Sequence, residues 1–370
     1  MKKTLLALAF LGAFAGTAAA DVTLYGSVDY GFAYKHIDSD VAGTDATDTF
    51  SMESGQQAGS RWGLRGREDL GNGYAVGFIL ENGFTGDDGQ LGQGGRLFGR
   101  EASVSLYSPY GQLSLGRIGS INQGTSSWGK IGMISAFGTN YGSYAAQAGT
   151  TFKTSQVWDN TIAYQTPEFA GVKVYAQYSM GSSNSTNGYV ENESSTDRYY
   201  VIGATYENGP FAGYLAVDST NYRSYNSGAR PITGSVDDSL TVTLGGSYDF
   251  GVAKVFLAGQ YFEESDFTPI GFSSALRLDG YGVQASASIP ALGGKFLVGV
   301  GYTDAESADS QTVKYDFSRI VGSVGYDVFF TKRTDVYAVA TYMQESVEQS
   351  SATDLDPKAY AVMVGLRHRF

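Results

Sequence analysis

Within GSRWGLRGREDLGNG (residues 59–73), Arg61, Arg65 and Arg67 take odd positions, while Trp62 and Leu64 take even ones. An arginine keeps its charge at every relevant pH, and its planar fork binds carboxylate or phosphate. On a strand, neighbouring side chains point to opposite faces, so three guanidiniums share one side and can attract anions without covalent chemistry. Covalent chemistry has little to work with. The only histidines are His36 and His368, and neither has an evident nucleophile and orienting group beside it. The chain has no cysteine, which excludes thiolate metal sites and a disulfide framework. Neither a glycine-rich phosphate loop nor a metal-ligand spacing occurs, so no enzyme activity, metal or cofactor is expected.

An element that is apolar on one side and cationic on the other needs two different surroundings, and the rest of the chain repeats that design. VTLYGSVDYGFAYK (22–35) sets Val22, Leu24, Val28, Tyr30, Phe32 and Tyr34 against Thr23, Ser27, Asp29 and Lys35. YAVGFILENGF (74–84) sets Tyr74, Val76, Phe78 and Leu80 against Ala75, Gly77, Ile79 and Glu81. KAYAVMVGLRHRF (358–370) sets Tyr360, Val362, Val364, Leu366 and Phe370 against Arg367 and Arg369. Alternation sustained over ten residues is long for a globular strand and fits a tilted bilayer crossing. Sixteen such segments are expected: 22–35, 59–68, 74–85, 97–107, 112–117, 158–166, 171–180, 198–207, 211–219, 239–248, 253–262, 279–288, 295–303, 318–328, 334–344 and 358–370. Tight turns such as 69–73, 108–111, 207–210 and 289–294 alternate with long polar excursions such as 36–58, 181–197 and 220–238. That asymmetry is the pattern of an outer-membrane barrel. All seven prolines fall between segments, as expected of a residue that cannot donate to a ladder.

Other bounds agree. MKKTLLALAFLGAFAGTAAA (1–20) has the charged start, apolar run and small-residue end of a secretory signal peptide, so residues 21–370 form the expected barrel domain. Without Lys2 and Lys3, 23 basic residues face 37 acids, a net charge near −14 that argues against nucleic acid as partner. A mean hydropathy of −0.16 excludes a helical membrane protein but not a barrel, whose wall needs only every second residue apolar. A soluble β-sandwich also alternates, yet its strands are usually shorter, and no domain boundary divides this chain.

The pieces VTLYGSVDYG, SRWGLRGREDLGNGYAVGF, FGREASVSLYSPYGQLSLGR, NTIAYQTPEFAGVKVYAQY and the VGLRHRF end, in this order from Asp21 to Phe370, resemble the trimeric porins of Gram-negative outer membranes, especially the betaproteobacterial and neisserial type. The resemblance implies an all-β fold: a 16-stranded antiparallel transmembrane barrel, a homotrimer, and a long third loop folded into the lumen. It implies passive diffusion of small hydrophilic solutes and inorganic ions. It also implies that Phe370 belongs to an assembly signal read by the barrel-insertion machinery, although another lipid-facing girdle aromatic is an equal reading of the residue. Outer-membrane lipid and lipopolysaccharide are the expected surroundings.

Family porins oppose lumen arginines with acids on the constriction loop. By resemblance Arg61 and Arg65 match such positions on the second strand and Arg100 on the fourth. Strand parity groups Arg100 with Ala102, Val104 and Leu106, so alternation alone leaves its side open. Arg67, Arg117 and Lys130 are counted with the pore-lining cations, and Asp29 and Glu81 with the lumen acids. The third loop departs from the enteric acidic motif: it reads Ser135, Ala136, Phe137, Gly138, then Asn140, and no Asp or Glu occurs from Gly119 to Trp158. Cations facing a loop without anions point to anion preference, unless acids on other strands neutralise them. Trp128, Phe137, Tyr141 and Tyr144 could instead form a sugar slide in a substrate-selective channel, or simply pack the loop on the wall. A non-conducting adhesive barrel is a further alternative. Asp38, Asp40, Asp45, Asp48 and Glu53 lack the fixed glycine and terminal glutamate of a calcium loop; divalent ions bridging lipopolysaccharide or plain solvation both fit them.

Overall fold

The computed structural model describes residues 21–183, 188–223, 237–349 and 353–370. The expected signal peptide at 1–20 lies outside the described residues. Seventeen strands are described: β1 (Thr23–Asp38), β2 (Thr47–Ser54), β3 (Arg61–Gly71), β4 (Tyr74–Gly83), β5 (Glu101–Ser108), β6 (Gly111–Gly119), β7 (Val157–Gln165), β8 (Val172–Ser179), β9 (Arg198–Asn208), β10 (Phe211–Asn221), β11 (Ser239–Asp249), β12 (Lys254–Phe267), β13 (Leu276–Ala291), β14 (Gly294–Ser307), β15 (Tyr315–Phe329), β16 (Thr334–Gln349) and β17 (Lys358–Arg369). All pair antiparallel in one sheet, and β1 against β17 closes it from Ser27↔Arg369 to Asp38↔Lys358. Two strands share one stave: β2 pairs with Tyr30–Ile37 of β1, and β3 pairs with Thr23–Ser27 of the same strand. The seventeen strands therefore make a sixteen-stave barrel.

β2 corrects the sequence reading, which left 36–58 as a loop. Its TDTFSMES offers only Phe50 and Met52 as large apolar residues, too few to read as alternation. Between β2 and β3, residues 55–60 leave the ladder, and Gln56, Gln57 and Ser60 are buried.

The period-2 pattern sorts residues as expected of a barrel wall. Leu24, Phe32, Leu244, Leu257, Val300, Ile320 and Val364 are exposed on the outside, while Ser27, Asp29, Glu81, Ser105, Ser114, Thr243, Gln260 and Ser323 are buried on the other face. A soluble sheet would bury its apolar face; this wall does the reverse, as a wall bathed in lipid must. Heights differ around the ring. β5–β8 have 8 or 9 residues, whereas β12–β16 have 14–16.

The long segment 120–156 packs on the polar face. Ile131, Ile134 and Phe152 cluster with Tyr175 of β8 and Tyr214 of β10. Phe137 and Tyr141 cluster with Leu297, Tyr337, Val339 and Met363 of β14, β16 and β17. The Phe137 ring lies against Gly299 and Gly325, 3.2 and 3.5 Å from where a Cβ would stand. Hydrogen bonds add to this: the Ala136, Ala146 and Lys153 amides donate to Ser286 Oγ, Ser323 Oγ and Gln260 Oε1 at 2.9, 2.8 and 2.6 Å.

Candidate functional site

Arg61 and Arg65 stand on the buried-face parity of β3, and Glu81 on that of β4. Arg100 precedes β5 rather than belonging to it, so the strand's parity does not govern it. It is buried, donates from Nε to Glu81 Oε1 at 2.7 Å and from Nη2 to the Thr125 carbonyl at 2.8 Å. Glu81 also accepts the Tyr25 hydroxyl at 2.9 Å, while Arg61 approaches it only to 3.7 Å and spends Nη1 on the Gly59 carbonyl at 2.9 Å. Arg65 has no carboxylate within 4.0 Å among the described residues; its guanidinium lies over the Tyr25 ring at 5.0 Å.

These side chains line a cavity of about 670 Å³ together with residues 123–127 and Thr139, Asn140, Gln147 and Thr154 of the long segment. Its charged lining is Arg61, Arg65, Arg100 and Arg367 against Glu81 and Glu101; Arg367 is held by Asp335 behind the lining at 2.9 Å, which leaves one positive charge in excess. A neighbouring cavity of about 680 Å³ shares Arg100, Gln123, Thr125 and Ser155 with it and adds Arg96, Arg117 and Arg223 against Asp159 and Asp197. Through these shared residues the two cavities adjoin as one polar region, the passage. Across both, seven arginines face four carboxylates, in a chain whose formal net charge is −12.

Other expected site residues take different places. Arg117 belongs to the second cavity, where it and Arg96 both bond Asp159, at 2.6 and 2.8 Å. Arg67 lies over Tyr107 at 4.2 Å, outside both cavities. Lys130 turns to Tyr175 of the wall, 5.9 Å from the ring centre, and lines neither cavity. Asp29 is fully buried beneath residues 55–60 instead of lining the passage. Ser135, Ala136 and Phe137 anchor the long segment to the wall, Gly138 accepts the Ala148 amide, and Asn140 reaches the cavity. The aromatics do not form a slide: Trp128, Phe137 and Tyr141 are 3%, 1% and 4% exposed, and Tyr144 packs half-buried beside them. In the first loop, Asp48 bonds Tyr34 and His36, Glu53 bonds Lys35, and Asp38 meets Lys358 at 3.3 Å.

Sequence reasoning misses Glu101 and Arg367. Glu101 shares its face with Ser103 and Ser105, a signal that was available, but its role shows only in space: it accepts the Ser127 amide and hydroxyl of the long segment, each at 3.0 Å. Arg367 is visible as a polar-face residue, yet only closure of the ring brings it beside Arg61. Phe370 pairs with Gly26 through both backbone groups at 3.1 Å, and its ring covers Gly26 on the outer wall, where a Cβ would collide with it.

Charge-lined cavities inside a closed wall with an apolar outside suit a membrane channel. The Gram-negative porin family model matches residues 7–347. The chain is 35% identical over the full length of both proteins to an outer membrane porin of Bordetella pertussis, and 30% identical, again over both full lengths, to outer membrane porin protein 32 of Delftia acidovorans. Among solved structures it is similar to the anion-selective porin from Comamonas acidovorans, with TM-score 0.66 and 26% identity, covering 95% of this chain and all of that one. The chain belongs to the Gram-negative porin family, as a β-barrel of the outer membrane.

Proposed function

We propose that the passage is a water-filled channel for passive diffusion of small hydrophilic solutes and inorganic ions, narrowed by 120–156 as a constriction loop, with a preference for anions. The observation that carries this reading is the charge of the 670 Å³ cavity, four arginines against two glutamates. The loop facing those arginines brings no carboxylate of its own. A basic ring in a low-dielectric constriction raises the local concentration of anions. The anion-selective title of the Comamonas acidovorans structure supports the same sign. The sugar-slide alternative loses its basis, because the aromatics it needs are packed into the wall. Homotrimer assembly, a role of Phe370 in insertion, and contact with lipopolysaccharide complete the reading by family likeness. Catalysis is no part of this reading, which rests on relatives that are porins.

The test is the double variant Arg61→Ser/Arg65→Ser in a planar bilayer. A 670 Å³ cavity has the volume of a sphere of radius about 5 Å, and a unit charge at about 5 Å is worth about 0.8 kcal/mol in water. Screening at 0.1 M leaves about 0.5 kcal/mol. Anions and cations feel it with opposite sign, so each arginine changes the permeability ratio by about fivefold. Reversal potentials should report a shift of the permeability ratio toward cations, by about fivefold for each and about twenty-five-fold together, with the barrel still folded. An unmoved potential overturns the reading.

A further inference from the structure

Residues 55–60 interrupt a stave of the barrel, and the interruption is built rather than slack. Asp29 Oδ2 accepts the amides of Gln57 and Ala58, each at 2.7 Å, and Oδ1 accepts the Tyr337 hydroxyl at 2.6 Å. The Asp29 amide donates to Ser60 Oγ at 3.1 Å, fixing the far end. One carboxylate thus folds the segment inward as a strap. Gln57 then reaches across the interior, donating to the Tyr141 hydroxyl at 2.7 Å and to Asp327 at 2.9 Å. The Gln56 carbonyl accepts the amides of Tyr141 and Gly142, at 2.6 and 3.2 Å. Tyr141 has φ +74°, a left-handed conformation unfavourable for a bulky residue, held where the strap grips it.

The strap also touches the passage. Ala58 and Gly59 line the cavity, and the Gly59 carbonyl takes Arg61 Nη1, leaving Arg61 only a 3.7 Å approach to Glu81. Gly59 lies so near Arg100 that a Cβ there would sit 3.0 Å from its guanidinium. The strap is therefore the spacer that keeps two guanidiniums apart and holds one of them in a long, 3.7 Å ion pair with Glu81 instead of a short one.

We propose that Asp29, itself shut off from the passage, is a positioning residue for the channel's anion preference: it holds 55–60 as a strap that aims Arg61 into the passage and fastens the tip of loop 120–156. This rests on the anion-preferring reading above. Releasing the strap frees Arg61 to close on Glu81, which removes its charge from the field that passing ions meet.

Charge and geometry predict opposite signs, which makes the proposal testable. Deleting a buried negative charge should by itself raise anion preference. Asp29→Asn keeps an oxygen for the two amides and offers its NH₂ to the Tyr337 hydroxyl, so it removes the charge and keeps the strap. Asp29→Ala removes both. In asymmetric KCl, Asp29→Asn should keep or raise the anion-to-cation permeability ratio, whereas Asp29→Ala should lower it by up to about fivefold, the loss of one screened arginine. Gln57→Ala, which alters no charge, should lower it in the same direction and stands in if Asp29→Ala does not fold. A parallel rise in Asp29→Asn and Asp29→Ala, with Gln57→Ala unchanged, overturns the proposal. A second readout is independent of selectivity. The chain has no cysteine, so Ala58→Cys gives a single thiol. Its rate of modification by a methanethiosulfonate reagent should rise several-fold when Gln57→Ala or Asp29→Ala is added; an unchanged rate sinks the strap. If wild type shows no anion preference while these rates rise, the anion-preferring reading fails and the strap stands.

Discussion

Truncating Phe137 to alanine should loosen the constriction loop without unfolding the barrel. The ring is 1% exposed, seated over Gly299 and Gly325 and walled by Leu297, Tyr337, Val339 and Met363. It meets Tyr141 edge-to-face at 5.6 Å and 89°. Emptying such a seat costs about 3–5 kcal/mol, and the lost aromatic pair adds about 1 kcal/mol. The neighbouring bonds from Ala136 and Ala146 to Ser286 and Ser323 contribute about 0.5–1.5 kcal/mol each. The ring therefore outweighs any one of them, and about five would be needed to replace it. The sheet is untouched, because the ladder pairs of β14–β17 do not pass through the loop. Two assays report the loop directly. Lys130 and Lys153 are the only basic residues from 119 to 157, so trypsin can cut the loop only there. In Phe137→Ala, cleavage at both should accelerate while the barrel band persists, and single-channel current should become noisier. Cleavage and noise equal to wild type would refute the claim that this ring holds the loop.

Phe370→Ser should reduce the amount of folded barrel reaching the outer membrane while leaving conductance per channel nearly unchanged; normal yield would leave the ring only its place over Gly26. Burial, aided by repulsion from Lys173, lowers the Lys130 pKa below the ordinary lysine value, and burial does the same at Lys153. Both then bind fewer protons when the loop is docked than when it is free, so docking should strengthen as pH rises from those lowered values toward the ordinary one. Current noise recorded across that window should fall, and a rise would contradict the burial of these ammonium groups.

Much of the wall was legible because period 2 is a local signal. All sixteen expected segments match a single strand to within about five residues, and parity alone distinguishes the sides of Trp62 and Arg61. The tall strands run past their expected ends. β13 spans Leu276–Ala291 where alternation reads 279–288, because near the rim the contrast inverts: Leu276 and Leu278 are buried while Arg277 and Asp279 take the opposite face. β2 escaped because Phe50 and Met52 are too few to read as alternation. Arg100 escaped differently: parity applies only inside a strand, and it sits one residue before β5. The wiring of the site was not legible at all. Asp29, Gln57, Tyr141 and Asp327 form one chain of bonds, but the last two are 186 residues apart in sequence, and only closure of the ring makes them neighbours. The identity of a loop aromatic as anchor or lining likewise depends on which glycines lie opposite it.

The most direct test of the account is the wild-type reversal potential across a KCl gradient, recorded first near 0.1 M and then near 1 M. Anions should carry the larger share of the current at low salt, from the excess of arginine in the passage. The bias should shrink at high salt, where the Debye length falls from about 10 Å to about 3 Å. A cation preference at low salt, or a bias indifferent to salt, would mean that Arg61 and Arg65 are neutralised within the passage, contradicting the account.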